Sequence, residues 1–168
     1  MISRRRFLRT SLLGAAALGL AGVVGRHLSG YSLDGATAAR LRVLSPKEYL
    51  ILSAIARRVL ASDGPDAPEA DLVEAALHAD AYLEKVPRAL TGDVRSLLQL
   101  FEHTATAGSR FTHLPPERQD AVLLAWQSSR FALKRQGFQA LRTLCFMGYY
   151  RDPRTWPLLG YSGPMLPR

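Results

Sequence analysis

The side chains that could perform chemistry in this 168-residue chain are few and widely spaced. Its single cysteine, Cys145, excludes an internal disulfide, a metal cage of several cysteines and haem attachment through a CxxCH motif. His103 and His113 are ten residues apart, which matches no common spacing of zinc ligands. The sequence contains no Gly-rich dinucleotide fingerprint and no phosphate-binding loop. It therefore predicts no catalytic, metal-binding or cofactor-binding residue in this chain.

Two groups with reactive or charged side chains have two interpretations each. Leu141 and Leu144 precede Cys145 at helical spacing, which predicts a buried, unreactive thiol, with a covalent link to a partner subunit as the alternative. Four cations recur at helical spacing near the end of the chain, and they form either a solvated face or a docking surface for an acidic partner. This basic strip consists of Arg130, Lys134, Arg135 and Arg142.

The positive charge of the chain is concentrated near its start. The formal net charge is +8, from 22 Lys and Arg against 14 Asp and Glu. Five of these cations but only one acid precede residue 39, so the chain from Ala39 onward has a net charge of only +4. Apolar residues form 48% of the chain and charged residues 21%, as in globular proteins. This distribution does not predict a nucleic-acid partner.

The first 25 residues have the layout of an export signal. Arginines up to Arg9 are followed by an apolar run, residues 12–25, which is too short for a bilayer span of about 20 residues. The start resembles the twin-arginine signal S-R-R-x-F-L-K, with Arg9 in place of the lysine. The matching residues are Ser3, Arg4, Arg5, Phe7 and Leu8. A basic arm for nucleic acid or an anionic membrane would explain the arginines, but not the apolar run behind them.

We divide the chain into an export segment, residues 1–38, and a mature domain, residues 39–168. Ala36 and Ala38 fit a cleavage site before Ala39. This site lies far behind the apolar run, so an uncleaved anchor is the alternative. The twin-arginine route carries folded proteins, which suits export together with a partner that acquires its cofactor in the cytoplasm. We therefore expect a periplasmic or otherwise extracytoplasmic protein, associated with the membrane through its complex or an uncleaved signal.

Helical patterns fill most of the mature domain. Ser45, Pro46 and Glu48 have the types and spacing of a capping box with proline at the first helical position. Because no alternating strand pattern appears, we predict an all-α bundle of four to five helices. The predicted helices start at Pro46, cover about 69–83 and 93–107, start again near Pro116, and continue beyond a break at Ser128 towards Asp152. Positions expected to face the core include Val94, Leu97, Leu98, Phe101, Val122, Ala125 and Trp126, and Phe131 is expected to continue the final helix.

The C-terminal tail, residues 149–168, differs in composition from the rest of the chain. It combines aromatic residues with four prolines and two glycines, a composition from which we predict no helix. Such a segment becomes ordered by laying its rings on a surface. That surface is either the chain's own bundle or another protein.

Three stretches of this sequence resemble a known family. Residues 44–48 with the acidic, proline-containing loop 63–70, residues 111–118, and the tail residues 149–156 and 159–164 are similar to segments of the gluconate 2-dehydrogenase subunit 3 family. The tail pattern YY-x-D/N-P…W…LGY-x-GP is the most specific of them. The resemblance covers about residues 44–164, and a twin-arginine leader is also common in the family.

The resemblance implies a non-catalytic subunit that binds a larger enzyme. In the family, a glucose-methanol-choline-type flavoprotein holds FAD and oxidises a sugar or sugar acid, and a multihaem cytochrome c often accepts the electrons. The small subunit binds this flavoprotein and supplies the signal read by the twin-arginine translocase. Because rigid aromatic residues dominate binding hot spots, we predict that the tail contacts the partner through Tyr149, Tyr150, Trp156, Tyr161 and Pro164. The alternative is a free-standing exported helical domain that binds a small ligand or another protein.

Overall fold

The computed structural model describes residues 30–61, 67–104 and 109–163. The all-α prediction is confirmed, because these ranges contain helices and turns but no strand. Residues from Leu33 onward form one compact unit. Its α-helices are α1 (Gly35–Arg40), α2 (Pro46–Val59), α3 (Ala75–Leu83), α4 (Arg88–Thr104), α5 (Pro116–Gln127) and α6 (Ala132–Tyr149), and two 3-10 helices cover Phe111–His113 and Pro153–Leu159.

The start of α2 has the predicted capping box. The Ser45 hydroxyl accepts a hydrogen bond from the Glu48 backbone N–H at 3.3 Å, and the Glu48 carboxylate accepts one from the Ser45 N–H at 2.8 Å. The same carboxylate is buried and receives the Arg95 guanidinium of α4 at 3.1 Å. The cap therefore also connects α2 to α4.

The core is built around α2 and a cluster of three aromatic rings. Ile51 and Ile55 of α2 are fully buried. The buried Phe101 ring meets Phe111 and Trp126 edge to face, with ring centroids 4.8 and 4.7 Å apart. These contacts join the end of α4, the first 3-10 helix and α5.

Two predicted helix boundaries are wrong by five or six residues. Helix α3 begins at Ala75 rather than Glu69, because Glu74 adopts a left-handed conformation with φ of 51° that interrupts the helical turns before it. Helix α4 begins at Arg88 rather than Asp93. Pro87 lies just before the first turn of α4, where the N–H that proline lacks would have no helical partner. The Pro87 carbonyl accepts a hydrogen bond from the Thr91 N–H at 3.1 Å. The predicted end of this helix at Ala107 lies outside the described residues.

The tail contains a helix, contrary to the prediction. Tyr149 is the last residue of α6, and a 3-10 helix covers Pro153–Leu159. The Asp152 carboxylate caps this helix by accepting from the Arg154 N–H at 2.9 Å, and Gly160 ends it with φ of 63°. A short 3-10 turn tolerates the prolines because it needs few backbone hydrogen bonds.

A buried carboxylate holds the segment before α2 against the bundle. Asp80 of α3 is fully buried and accepts hydrogen bonds from three consecutive backbone N–H groups, those of Arg42, Val43 and Leu44, at 2.6, 3.1 and 2.7 Å. The cleavage site predicted before Ala39 falls within the preceding helix, α1. Cleavage itself stays a prediction.

Candidate partner-binding surface

Helix α6 crosses α3 at very short range on one side. A Cβ atom added at Gly148 would overlap the carbonyl oxygen of Ala75 and would lie 3.1 Å from the backbone nitrogen of Ala79. His78 of α3 places its Nδ1 atom 3.3 Å from the Gly148 carbonyl oxygen. We call this α3–α6 contact the closed face. The two helices can approach this closely because Gly148 has no side chain.

The tail continues the closed face. Tyr149 is only 3% exposed, and its hydroxyl donates to the Pro68 carbonyl oxygen at 2.8 Å. The Arg154 guanidinium donates to the Leu72 carbonyl at 2.7 Å and binds the Asp152 carboxylate at the same distance. This guanidinium lowers the pKa of Asp152 to about 2. These bonds attach the tail to the turn before α3.

The other aromatic residues of the tail pack largely on one another. The Trp156 indole N–H donates to the Tyr150 carbonyl at 3.0 Å, and its ring meets that of Tyr161 at 5.2 Å. Tyr150 stacks on Phe146, and Tyr161 is 47% exposed. Pro164 lies outside the described residues. Contact between a partner and these predicted residues stays a prediction, and Tyr161 presents the most accessible ring.

The opposite side of α6 borders an open apolar groove. It lies between α4 and α6, and it reaches Leu83, the last residue of α3, and Val86 at one end and Trp126 of α5 at the other. Two adjoining hollows of about 770 and 540 Å³ form it. We call it the α4–α6 groove; its apolar lining includes Leu90, Val94, Leu97, Leu100, Phe131, Leu133, Ala140, Leu144 and Met147.

Several large apolar side chains of this groove face outward. Leu133 is 72% exposed, and Leu90 and Phe131 are each 55% exposed. Phe131, expected within the final helix, is the N-cap residue just before α6. The prediction that Ala125 faces the core is wrong, because it is exposed on α5. Val94 and Leu97, also predicted for the core, are half-buried at the groove. Helix α4 carries more apolar positions than one core-facing stripe can hold, so Val94 and Leu97 extend to the groove, whereas Ala125 lies beside the exposed Leu124 on α5.

Two charged side chains lie among the lining residues of the described chain, Asp93 of α4 and Lys134 of α6. Of the predicted basic strip, Lys134 lines the groove, and Arg135 donates to the Ser129 carbonyl oxygen at 2.6 Å. The Lys134 ammonium lies 5.7 Å from the Trp126 ring and Arg130 lies over Phe131 at the groove's end. Arg142 lies over the Phe146 ring instead, and Arg142 is not a lining residue.

The part of the chain that matches a known family includes the residues of both the closed face and the α4–α6 groove. The sequence model of the family described as gluconate 2-dehydrogenase subunit 3 matches residues 46–163, more than half of the chain. The chain belongs to the gluconate 2-dehydrogenase subunit 3 family. Membership implies association with a gluconate dehydrogenase complex. No match was found among the curated proteins or among the solved structures.

In this gluconate 2-dehydrogenase subunit 3 protein, the motif residues of the tail make hydrogen bonds within the chain itself. Tyr149, Asp152 and Trp156 each bond within the tail or to the turn before α3. The groove residues, by contrast, belong to helical stretches without a specific motif. The sequence did not identify these residues as a binding surface. The available signal was the row of leucines on α4 that continues beside the core positions Leu98 and Phe101.

The reactive groups of the subunit are held in structural positions. Burial raises the pKa of the Cys145 thiol to about 12, and the residue is 1% exposed, which agrees with the predicted buried thiol. His103 places its Nε2 atom 3.1 Å from the Lys47 ammonium. The described ranges contain no cluster of three or more His, Cys, Asp or Glu residues that could hold a metal ion. Within those ranges, every helix is too short or too polar to cross a membrane.

Proposed function

We propose that this chain is the non-catalytic small subunit of a periplasmic or membrane-associated FAD-dependent sugar or sugar-acid dehydrogenase. It binds a large glucose-methanol-choline-type flavoprotein and supplies the twin-arginine signal that exports the pair. The flavoprotein holds FAD and oxidises the substrate, and a multihaem cytochrome c receives the electrons. The export residues Ser3 to Leu8 lie outside the described residues.

The observation that carries this proposal is an exposed apolar groove in a member of a dehydrogenase-subunit family. Monomeric proteins rarely leave a large contiguous apolar patch in water, and such patches mark protein-binding sites. Here Leu90, Phe131 and Leu133 are each more than half exposed around one groove. Covering these side chains gives the chain a reason to associate with a larger protein.

The lining of the groove supports a protein partner rather than a dinucleotide in this chain. FAD carries two phosphates, which proteins bind with clustered backbone N–H groups or several cations. The groove offers one lining cation, Lys134, beside the acid Asp93. Its other lining side chains are mostly aliphatic or aromatic, with Ser, Thr and Gln side chains among them, which suits the amphipathic surface of another protein.

Co-expression tests this function. When the chain is produced with the flavoprotein subunit of the same organism, we expect the pair to co-purify with one flavin spectrum and to reach the periplasm in active form. Omitting the chain should leave the flavoprotein in the cytoplasm. Active flavoprotein in the periplasm without this chain would contradict the proposal.

A double substitution, Arg4→Lys with Arg5→Lys, tests the export signal separately. It keeps the charge but removes the guanidinium pair, so both proteins should remain in the cytoplasm as an intact complex. Replacing Arg26, beyond the apolar run, with Lys is the matched control and should leave export unchanged. Export of the pair by the double variant would refute the twin-arginine assignment without affecting the binding role.

A free-standing domain that binds a small apolar ligand is the second candidate, because a hollow of about 770 Å³ lies within the size range of ligand pockets. A purified chain that stays monomeric and retains an apolar molecule in the groove would favour it.

A further inference from the structure

We propose that the α4–α6 groove binds a single amphipathic α-helix of the flavoprotein subunit, with acidic residues at the helix end nearest Phe131. This inference rests on the proposed function and deepens it by naming the surface and the form of its occupant. It assigns the main contact to α4 and α6 rather than to the aromatic tail.

The shape of the groove matches one helix. Helices α4 and α6 run antiparallel along it, since Val86 and Leu90 share one hollow with Met147, while Leu100 shares the other with Leu133. Helix α4 has 17 residues, which corresponds to a length of about 25 Å at 1.5 Å per residue. At about 5.4 Å per turn, a helix of nearly five turns would fill this length.

The spacing of the lining residues is that of a helix-packing seam. On α6 the lining positions without a polar side chain recur at intervals of four and three residues, the repeat that places side chains against a neighbouring helix. These positions are Leu133, Gly137, Ala140, Leu144 and Met147. On α4 the corresponding positions are Leu90, Val94, Leu97 and Leu100. Two such stripes side by side form the groove that an amphipathic helix recognises.

Small residues lower the α6 side of this groove. Gly137 has no side chain, and a Cβ atom there would lie 2.8 Å from Leu97 Cδ1. Ala140, one turn further on, lines both hollows. Leu97 and Trp126 fill the space above Gly137, so the low position open to a large side chain of an incoming helix is the exposed Ala140.

The charge at one end of the groove indicates the orientation of the occupant. At the start of α6, Arg130 lies over the Phe131 ring, and Lys134 lies over the Trp126 ring in the same hollow that Phe131 lines. The first turn of α6 contains no acid, and its N-cap residue makes no side-chain capping bond, so the positive helix end adds to these cations. An acidic residue on the partner helix would complement this end.

The chain's own leader matches this charge pattern poorly. Its apolar run, residues 12–25, has Arg9 before it and Arg26 after it, and Asp34 is the first acid of the sequence. Either end of that run would bring an arginine towards Arg130 and Lys134. We therefore assign the groove to the partner subunit rather than to the leader.

Matched leucine substitutions test the site in the full-length chain co-expressed with the flavoprotein. Leu133→Glu places a carboxylate in the groove, whereas Leu124→Glu changes a leucine of similar exposure, 63% against 72%, on α5 outside the lining. Both variants should keep the thermal stability of the isolated chain. We expect Leu133→Glu to weaken flavoprotein binding at least tenfold and Leu124→Glu to change it less than twofold. Equal binding by the two variants would overturn the inference.

Charge reversal and cross-linking test the orientation and the occupant. Lys134→Glu should weaken binding severalfold, and Arg142→Glu, outside the groove, should leave it unchanged. A photoreactive residue at position 140 should cross-link to an apolar flavoprotein helix that carries an acid near its Phe131 end. Cross-links to a second copy, to residues 1–29 or to a small ligand would overturn the assignment.

If the wild-type chain binds no flavoprotein, the proposed function fails; if binding survives Leu133→Glu, only the groove assignment fails.

Discussion

Helix α6 separates two regions of opposite character. On its α3 side, Gly148 brings backbone against backbone, and the tail adds the Tyr149 and Arg154 hydrogen bonds to the same face. On its α4 side, Leu133 and Leu90 remain exposed around a groove. The closed face therefore holds the fold together, whereas the groove leaves apolar area available for another molecule. Substitutions on the two sides should separate stability from binding.

The largest effect is expected at the closed face, from Gly148→Ala. The new Cβ atom would overlap the Ala75 carbonyl, and backbone cannot move aside as a flexible side chain can. We expect a loss of about 3 kcal/mol or more in the free energy of unfolding, measured by denaturant titration. Gly92→Ala on α4 is the control: its Cβ would meet nothing within 4 Å, so it should stabilise the chain by about 0.5 kcal/mol. Unchanged stability of Gly148→Ala would show that the two helices do not meet there.

A smaller effect is expected from Tyr149→Phe. This change removes the hydroxyl that donates to the Pro68 carbonyl at 2.8 Å but keeps the buried ring. The free energy of unfolding should fall by about 1 kcal/mol, the usual contribution of one such bond. Tyr161→Phe, whose side chain is largely exposed, should cost almost nothing. If both changes cost the same, the tail is not anchored through Tyr149.

The ion pair of Asp152 should give a pH-dependent difference. Because Arg154 lowers the pKa of Asp152 from 3.8 to about 2, the folded state gains stability above pH 4 and loses it as the pH falls from 4 to 2. Asp152→Asn keeps an oxygen that can cap the 3-10 helix but removes the charge. The variant should melt below the wild type at pH 7 and at nearly the same temperature at pH 2. A pH-independent difference would contradict the ion-pair explanation.

The smallest effect is expected beside the groove, from Gly137→Ala. Its Cβ would lie 2.8 Å from Leu97 Cδ1, the end of a flexible side chain next to open space, and 3.2 Å from Cζ3 of the buried Trp126 ring. Leu97 can rotate into the groove and the ring need shift by only a few tenths of an ångström. The net loss in the free energy of unfolding should therefore stay below about 1 kcal/mol once the gain in helix propensity is included. The free energy of flavoprotein binding should fall more than the free energy of unfolding, because the displaced Leu97 side chain would occupy the groove. A large loss of stability would erase the distinction between the two faces.

The sequence predicts the helices better than their outer surfaces. The Ser45 capping box and the break at Ser128 are local signals, and both are found in the structure. The late start of α3 depends on the left-handed conformation of Glu74, and a glutamate in the sequence does not predict that conformation. The groove was missed for another reason: periodicity shows that α4 has apolar positions, but only packing decides that Leu98 is buried and Leu90 is not.

The tail illustrates the same limit for functional residues. Its aromatic residues are conspicuous in the sequence, yet a ring can serve a binding site or its own fold. The structure shows Tyr149 and Trp156 bonded within the chain, through Pro68 and Tyr150. The groove residues are ordinary leucines, which sequence patterns assign to a core by default.

The bonds that Asp80 accepts have a mechanical consequence. Three consecutive amides, those of Arg42, Val43 and Leu44, are fixed to one carboxylate at the point where the N-terminal segment enters the bundle. Tension applied to the first residues of the chain would load these three bonds before it reached the capped turn of α2. Together with the Arg40–Glu74 ion pair just before them, these bonds would make α3, rather than the cap of α2, the first element to resist a pull on the N-terminal segment.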